Sequence, residues 1–139
     1  MKYLLFFLLI ISAQLGLSQS IDANGRSYFE MKDGDTTYMM YQYFFCSLDR
    51  VENRDSLSEE KLTEIQKGHM DHISAMAESG KVSIAGPYGD DGDSRGILIM
   101  NCTTLEEAQE LAAQDPAVKA NRLKINIRPI WLAKGSVLK

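Results

Sequence analysis

Histidine and cysteine are scarce in this sequence of 139 residues, which contains two of each. Metal centres and nucleophilic sites draw heavily on these two residue types, and no cofactor-binding motif is present. We therefore expect no metal and no cofactor. A long apolar run is also lacking, because the uninterrupted segment 4–11 is far shorter than the roughly 20 residues that a membrane-spanning helix needs.

The apolar run 4–11 instead has the features of a signal peptide. Lys2 supplies a positive start, and Gly16, Ser18 and Ser20 supply small residues for cleavage. We expect residues 1–18 to be removed by cleavage after Ser18, with Ser20 as the alternative site. The mature protein would then be periplasmic or secreted. No cysteine lies near the cleavage site, so we expect no lipid anchor and no stable membrane attachment.

Charge and length limit the remaining classes. The formal net charge is −4, and loss of Lys2 with the leader brings it to −5. An acidic protein is poorly suited to bind nucleic acid or an anionic membrane surface. The roughly 120 residues that follow the leader are enough for one domain with one core.

Hydrophobic patterning predicts an α+β domain at residues 38–134. The segment 19–37 before it is a linker or a short hairpin, assigned here as a linker, and residues 135–139 form a tail. Strands are expected at 38–48, 82–85, 96–102 and 124–132, and helices at 58–79 and 104–114. The order β-α-β-β-α-β is the split pattern of a ferredoxin-like fold.

Side-chain alternation predicts the position of each strand in the sheet. The first and third strands are apolar on both faces, whereas the last is apolar on one face only. This favours an antiparallel sheet of order 4-1-3-2 with both helices on one face. The other apolar face would remain uncovered, which predicts a homodimer packed sheet to sheet. The alternative is a monomer in which residues 19–37 cover that face.

His69 occupies an apolar position of the first predicted helix. The apolar stripe runs at steps of three and four through Leu62, Ile65, His69 and Ile73. Asp115 precedes a proline and should end the second helix, where a carboxylate meets the negative end of the helix dipole. Each residue is anomalous alone, so we predict that they form a hydrogen-bonded pair beside a cavity. The alternative is a hydrogen-bonded core histidine and an unrelated turn aspartate.

Other polar residues invite competing interpretations. His72 lies one turn from His69 and could share a metal with it, but no further histidine or cysteine on a helix completes such a site. The acidic turn at Asp90, Asp91 and Asp93 resembles a calcium loop only loosely, because the closing glutamate is missing. We expect a solvated turn there.

Export would ordinarily suggest a disulfide between Cys46 and Cys102. Both residues lie near the C-terminal ends of predicted strands. In a 4-1-3-2 sheet those strands are antiparallel neighbours, so their C-terminal ends lie at opposite edges, roughly 15 to 20 Å apart. A disulfide requires α-carbons within about 7 Å. We therefore predict two unpaired core thiols.

Several short motifs, taken in order, resemble one protein family. They are Lys67-Gly68-His69-Met70-Asp71-His72-Ile73, Gly80, Ile84-Ala85-Gly86-Pro87, Leu105-Glu106-Glu107-Ala108, Asp115-Pro116 and Ile127-Arg128-Pro129. Together they resemble the YCII-related family of small dimeric α/β-barrel proteins over roughly residues 38–134. The leader and the N-terminal segment depart from the family pattern.

The resemblance implies a ferredoxin-like dimer with an active-site pair at His69 and Asp115, and a pocket wall at Gly86 and Pro87. One characterised type in the family is a dehydrochlorinase that acts on a chlorinated hydroxyquinone. A histidine held by a carboxylate can abstract a proton, which leads to elimination or isomerisation of a small organic molecule. The alternatives are a non-catalytic module that binds a small ligand and a dimer that binds other proteins. Sequence leaves open whether the protein is an enzyme.

Overall fold

The computed structural model of the protein describes residues 18–138. Its strands are β1 (Ser20–Ile21), β2 (Ser27–Asp33), β3 (Thr36–Arg50), β4 (Val82–Pro87), β5 (Ser94–Met100) and β6 (Leu123–Ala133). Its helices are α1 (Glu59–Glu78), α2 (Leu105–Ala113) and α3 (Pro116–Lys119). The predicted signal peptide lies outside the described residues except for Ser18. No helix within residues 18–138 is long and apolar enough to cross a bilayer.

The 15-residue strand β3 is the centre of one antiparallel sheet. Strand β6 pairs with it from Met40 to Arg50. On the other edge β5 pairs with residues 44–49, and β4 pairs with β5. The prediction of a mixed α+β fold with an antiparallel sheet is confirmed, and the four strands lie side by side in the order β6-β3-β5-β4.

The predicted linker at 19–37 instead forms a hairpin that extends this sheet. Strand β2 pairs with residues 36–41 of β3 through a two-residue turn in which Gly34 has a positive φ of 57°. Tyr41 pairs with Tyr28 on one side and Leu132 on the other, so β2 shares the edge of β3 that β5 uses further along. Apolar and charged residues alternate in β2, which gives a weaker strand signal than the two-sided apolar pattern of β3.

The core lies between the helices and one face of the sheet. Alternate β3 side chains Phe44, Cys46 and Leu48 pack with Met76 of α1 and Ala108 of α2. The intervening side chains of β3 point to the opposite face and are half-buried or buried. Helix α1 also contacts α3 and β4, and the candidate residues meet on this side of the sheet.

Candidate functional site

The pattern of α1 explains why His69 faces inward. Ser58 caps the helix by accepting a hydrogen bond from the backbone N–H of Lys61. His69 and Met76 are its buried residues, seven positions or two turns apart on one face. His69 is 9% exposed. A polar ring at this depth requires a partner, because an unsatisfied buried polar group costs roughly 1 to 3 kcal/mol.

Asp115 is held by a short helix that the hydrophobic pattern did not predict. Helix α2 ends at Ala113, and Asp115 caps the next helix, α3, with Pro116 in its first turn. The Oδ1 of Asp115 accepts a hydrogen bond of 2.8 Å from the backbone N–H of Ala117. The carboxylate therefore lies at the positive end of α3, where the helix dipole stabilises it. The prediction that Asp115 ends α2, at the unfavourable negative end of its dipole, is wrong.

His69 and Asp115 form a buried pair. The Nδ1 of His69 lies 2.6 Å from Oδ2 of Asp115, and their side chains are 11% and 4% exposed. With the carboxylate ionised, Nδ1–H donates and the other ring nitrogen, Nε2, carries the lone pair. That nitrogen forms no hydrogen bond with residues 18–138. The structure thus brings together the two residues that the sequence predicted as a pair.

A glycine beside His69 permits the close approach of α1 and α3. A Cβ built on Gly68 would lie 3.0 Å from Cγ of Pro116, closer than ordinary van der Waals contact. The missing side chain lets the first turn of α3 lie against α1. Asp115 therefore reaches the imidazole of His69 directly.

A cavity of about 990 Å³ opens beside His69. Apolar side chains of α1 and of strands β3 and β5 form much of its wall, among them Leu48, Ile73 and Leu98. Gly86 and Pro87, the residues assigned to a pocket wall, also line it. An apolar wall with a few polar groups is typical of sites for small organic molecules.

The remaining polar candidates lie elsewhere. His72 points to α2, where its Nε2 bonds the carbonyl oxygen of Leu111 at 2.9 Å. It therefore does not share a ligand with His69. Within the part of the chain that the structure describes, no three histidine, cysteine, aspartate or glutamate side chains converge as metal ligands.

Cys46 and Cys102 are both free and buried, which confirms the predicted unpaired state. Cys46 pairs in register with Leu98, four residues before Cys102, and four strand residues span about 13 Å. Burial raises the pKa of Cys46 to about 12, and the neighbouring carboxylates of Asp115 and Asp49 contribute further. Burial likewise raises the pKa of Cys102 to about 11. Neither thiol is poised to act as a nucleophile.

Four arginines at the cavity were not anticipated from the sequence. Arg50, Arg54, Arg95 and Arg122 all line it and are called the arginine cluster below. Arg50 and Arg54 are four residues apart, but Arg95 and Arg122 lie far from them in the chain, and the four share no motif. Only the register of β3 with β5 and β6 brings them to one place.

A solved structure similar to the chain is 5-chloro-2-hydroxyhydroquinone dehydrochlorinase from Burkholderia phenoliruptrix AC1100, in complex with 2,5-dihydroxybenzoquinone. The two chains are 16% identical, the match covers 61% of this chain and 90% of that one, and the TM-score is 0.42. No curated protein matches the sequence significantly.

A family model settles the classification. The model of the YCII-related domain matches residues 44–132, which is more than half of the chain and includes His69, Asp115 and the cavity wall at Gly86 and Pro87. The resemblance inferred from the sequence motifs is confirmed. The chain belongs to the YCII-related domain family.

Proposed function

We propose that this protein is an enzyme in which His69, oriented by Asp115, acts as general base on a small organic molecule bound in the cavity. The observation that carries the proposal is the 2.6 Å contact between Nδ1 of His69 and Asp115, in a ring that lines the cavity. The carboxylate fixes the tautomer and leaves Nε2 to accept a proton. Gly86 and Pro87 form part of the substrate contact surface.

The chemistry within reach is elimination or isomerisation. Nε2 takes a proton from a substrate carbon, and the electrons of the broken C–H bond form a new π bond. In elimination, the leaving group departs with the electron pair of its own bond. Loss of hydrogen chloride from a chlorinated hydroxyquinone, the reaction of one characterised type in the family, is one case. In isomerisation, the imidazolium returns the proton to another carbon. Neither reaction consumes a cofactor.

The general base can be tested without the natural substrate. 5-Nitrobenzisoxazole is a small neutral aromatic molecule that opens when a base removes its carbon-bound proton, which breaks the N–O bond and releases a coloured nitrophenolate. We expect the protein to accelerate this reaction and His69→Ala to lower the rate by about 100-fold or more. Asp115→Asn should lower it by a similar factor, because the amide can donate to Nδ1 and force the proton onto Nε2.

His72→Ala is the matched control. His72 lies on the same helix but bonds the carbonyl oxygen of Leu111 and does not line the cavity. His72→Ala should open 5-nitrobenzisoxazole at a rate within about twofold of the native rate, a change far smaller than the loss expected on removing the general base. Equal rates for His69→Ala and the native protein would contradict the catalytic assignment. Retained ligand binding would then favour the non-catalytic binding module.

Two further proposals concern the form in which the protein acts. Export with cleavage after Ser18 rests on the leader sequence, and the intact mass of protein recovered from the periplasm or medium tests it. A homodimer rests on the sheet face opposite the helices, where Tyr43, Phe45 and Ile97 are half-buried. Sheet-to-sheet packing would cover these side chains.

A further inference from the structure

The mouth of the cavity concentrates positive charge in an acidic protein. Four of the six arginines of the chain, those of the arginine cluster, line the cavity, although the net charge is −4. They come from four places: Arg50 ends β3, Arg54 lies in the following loop, Arg95 lies in β5 and Arg122 precedes β6. The arginine cluster therefore produces a positive electrostatic potential at the cavity, although the protein as a whole is negatively charged.

The protein neutralises this charge only in part. Arg50 and Arg95 both pair with Asp91, at 3.2 and 2.9 Å, and the Asp91 side chain is 90% exposed. Arg122 donates a hydrogen bond of 2.8 Å to the neutral backbone carbonyl of Asp55. Arg54 has neither a side-chain hydrogen bond nor an ion pair with residues 18–138. Within residues 18–138, one solvent-exposed carboxylate therefore pairs with two of the four guanidinium groups, and the other two have no ion pair.

The four arginines also repel one another. Partial desolvation lowers the pKa of Arg54 below its usual value, and repulsion from the other three arginines lowers it further. Guanidinium groups remain charged in proteins, so the repulsion persists at neutral pH. An anion placed among them would relieve it and could accept hydrogen bonds in pairs.

We propose that the ligand of this cavity is an organic carboxylate whose apolar, aromatic-sized body lies against Leu48, Ile73 and Leu98 while its carboxylate is held by the arginine cluster. This rests on the proposed function in one respect, that the cavity beside His69 is the substrate site. The cavity combines an apolar wall, a base and a cationic mouth. A neutral molecule of the same shape would leave the arginine cluster unmatched.

A pair of probes that differ only in charge tests the proposal. 2-Naphthoate and 2-naphthamide share one apolar body, and calorimetry measures their binding to the purified protein. We expect naphthoate to bind at least about tenfold more tightly, since charge-assisted hydrogen bonds are roughly twice as strong as neutral ones. Added salt should weaken the binding of naphthoate more than that of naphthamide.

Two substitutions should shift naphthoate binding in opposite directions. Arg54→Gln should weaken it about tenfold, because that arginine is unpaired within residues 18–138. Asp91→Asn should strengthen it severalfold, because it removes the carboxylate that competes for Arg50 and Arg95. Neither should change naphthamide binding by more than about twofold. A gain of affinity cannot result from a folding defect.

Arg128→Gln is the control for overall charge. Arg128 is exposed, lies on β6 opposite Phe45 and does not line the cavity. It should leave both affinities unchanged. Equal weakening by Arg54→Gln and Arg128→Gln, or equal affinity for the two probes, would overturn the proposal, as would no detectable binding of naphthoate.

Competition separates this proposal from the proposed function. Naphthoate should inhibit the opening of 5-nitrobenzisoxazole more strongly than naphthamide does. If the His69-dependent reaction is present but the two inhibitors are equal, the carboxylate proposal fails and the general base stands. If that reaction is absent but calorimetry shows the charge preference and its dependence on Arg54, the carboxylate site stands and the catalytic assignment fails.

Discussion

At the scale of single residues, the sequence predicted the correct pair for a partly wrong reason. The apolar stripe of α1 was sufficient to mark His69 as a buried polar residue. Asp115 was chosen as an acid at the unfavourable end of α2, whereas it caps α3 and lies at a favourable helix end. Four residues are too few to show a helical period, so α3 could not be found by periodicity. The Asp-Pro dipeptide was its only local signal.

The arginine cluster, unlike the pair of His69 and Asp115, could not be predicted from the sequence. Position 54 is 68 residues from position 122, and an arginine on a strand or loop usually marks a solvated surface. Local sequence does not indicate that Arg54 lies at the cavity, or that Arg128, in the motif Ile127-Arg128-Pro129, lies away from it. Their difference depends on where the fold places the cavity, which residues of α1, β3, β4 and β5 line.

The two cysteines give a prediction at this scale. Burial raises the pKa values of Cys46 and Cys102 to about 12 and about 11, so almost no thiolate is present at neutral pH. We expect iodoacetamide to alkylate the folded protein at least roughly 100-fold more slowly than a free thiol, whose pKa is near 8.5. Mass spectrometry of timed samples measures the rate.

The same protein in guanidinium chloride is the control. Both thiols should then react completely. Rapid labelling of the folded protein would contradict the burial of the two thiols. A protein that is lighter by two hydrogens and is not alkylated even when unfolded would contain a disulfide.

At the scale of elements, long segments were predictable and short ones were not. The observed helices α1 and α2 fall one residue inside each end of the predicted ranges 58–79 and 104–114. The strand β2 alternates Phe29 and Met31 with Glu30 and Lys32, a one-sided pattern. Beside the dense apolar run of β3 this pattern was assigned to a linker, although the two-residue turn at Gly34 and Asp35 is a typical hairpin signal.

The start of α2 gives a pH-dependent prediction. The side chain of Glu107 pairs with Lys81 and accepts a hydrogen bond from the backbone N–H of Thr103. Both hydrogen bonds lower the pKa of Glu107 below its usual 4.5, and the bond with Lys81 has the larger effect. Glu107→Gln should reduce the free energy of unfolding at pH 7 by roughly 0.5 to 1 kcal/mol, a modest value because the pair is about one-third exposed.

This destabilisation should disappear in acid. A carboxyl group whose pKa is lowered by folding stabilises the native state above its unfolded pKa, and the effect is lost as the pH falls through the folded value. The difference in the free energy of unfolding between Glu107→Gln and the native protein should therefore shrink below pH 4.5. Glu106→Gln is the control, because Glu106 lies in the same first turn. Equal effects of the two substitutions in denaturant titrations would contradict the role of the Lys81 pair.

At the scale of the whole molecule, the sheet separates two surfaces of different character. One face carries the helices, the core and the cavity. The other face carries half-buried apolar side chains and, near the end of β3, the polar group of Asp49 with Ser47, Ser94 and Asn126. Alternation along the strands was sufficient to predict this two-sided character.

The proposed homodimer gives the prediction at this scale. Phe45→Lys places a second positive charge directly opposite Arg128 in the half-buried apolar face and should convert a dimer to a monomer, because a buried unpaired charge is strongly unfavourable. Tyr88→Lys, at a side chain in the loop after β4 that is 45% exposed, should leave the dimer intact. Light scattering after size exclusion gives the mass. A monomeric native protein at micromolar concentration would contradict the proposal.

The cap of α3 has a consequence for observing the site. The backbone N–H of Ala117 donates to Oδ1 of Asp115, while Oδ2 of the same carboxylate holds His69. A proton gained by the imidazole of His69 changes the charge on both carboxylate oxygens of Asp115. The hydrogen bond from the N–H of Ala117 to Oδ1 therefore changes as well, although Ala117 does not contact a ligand. The nitrogen and proton resonances of Ala117 are thus a built-in spectroscopic indicator of the ionisation of the imidazole, readable in a protein labelled with nothing but ¹⁵N.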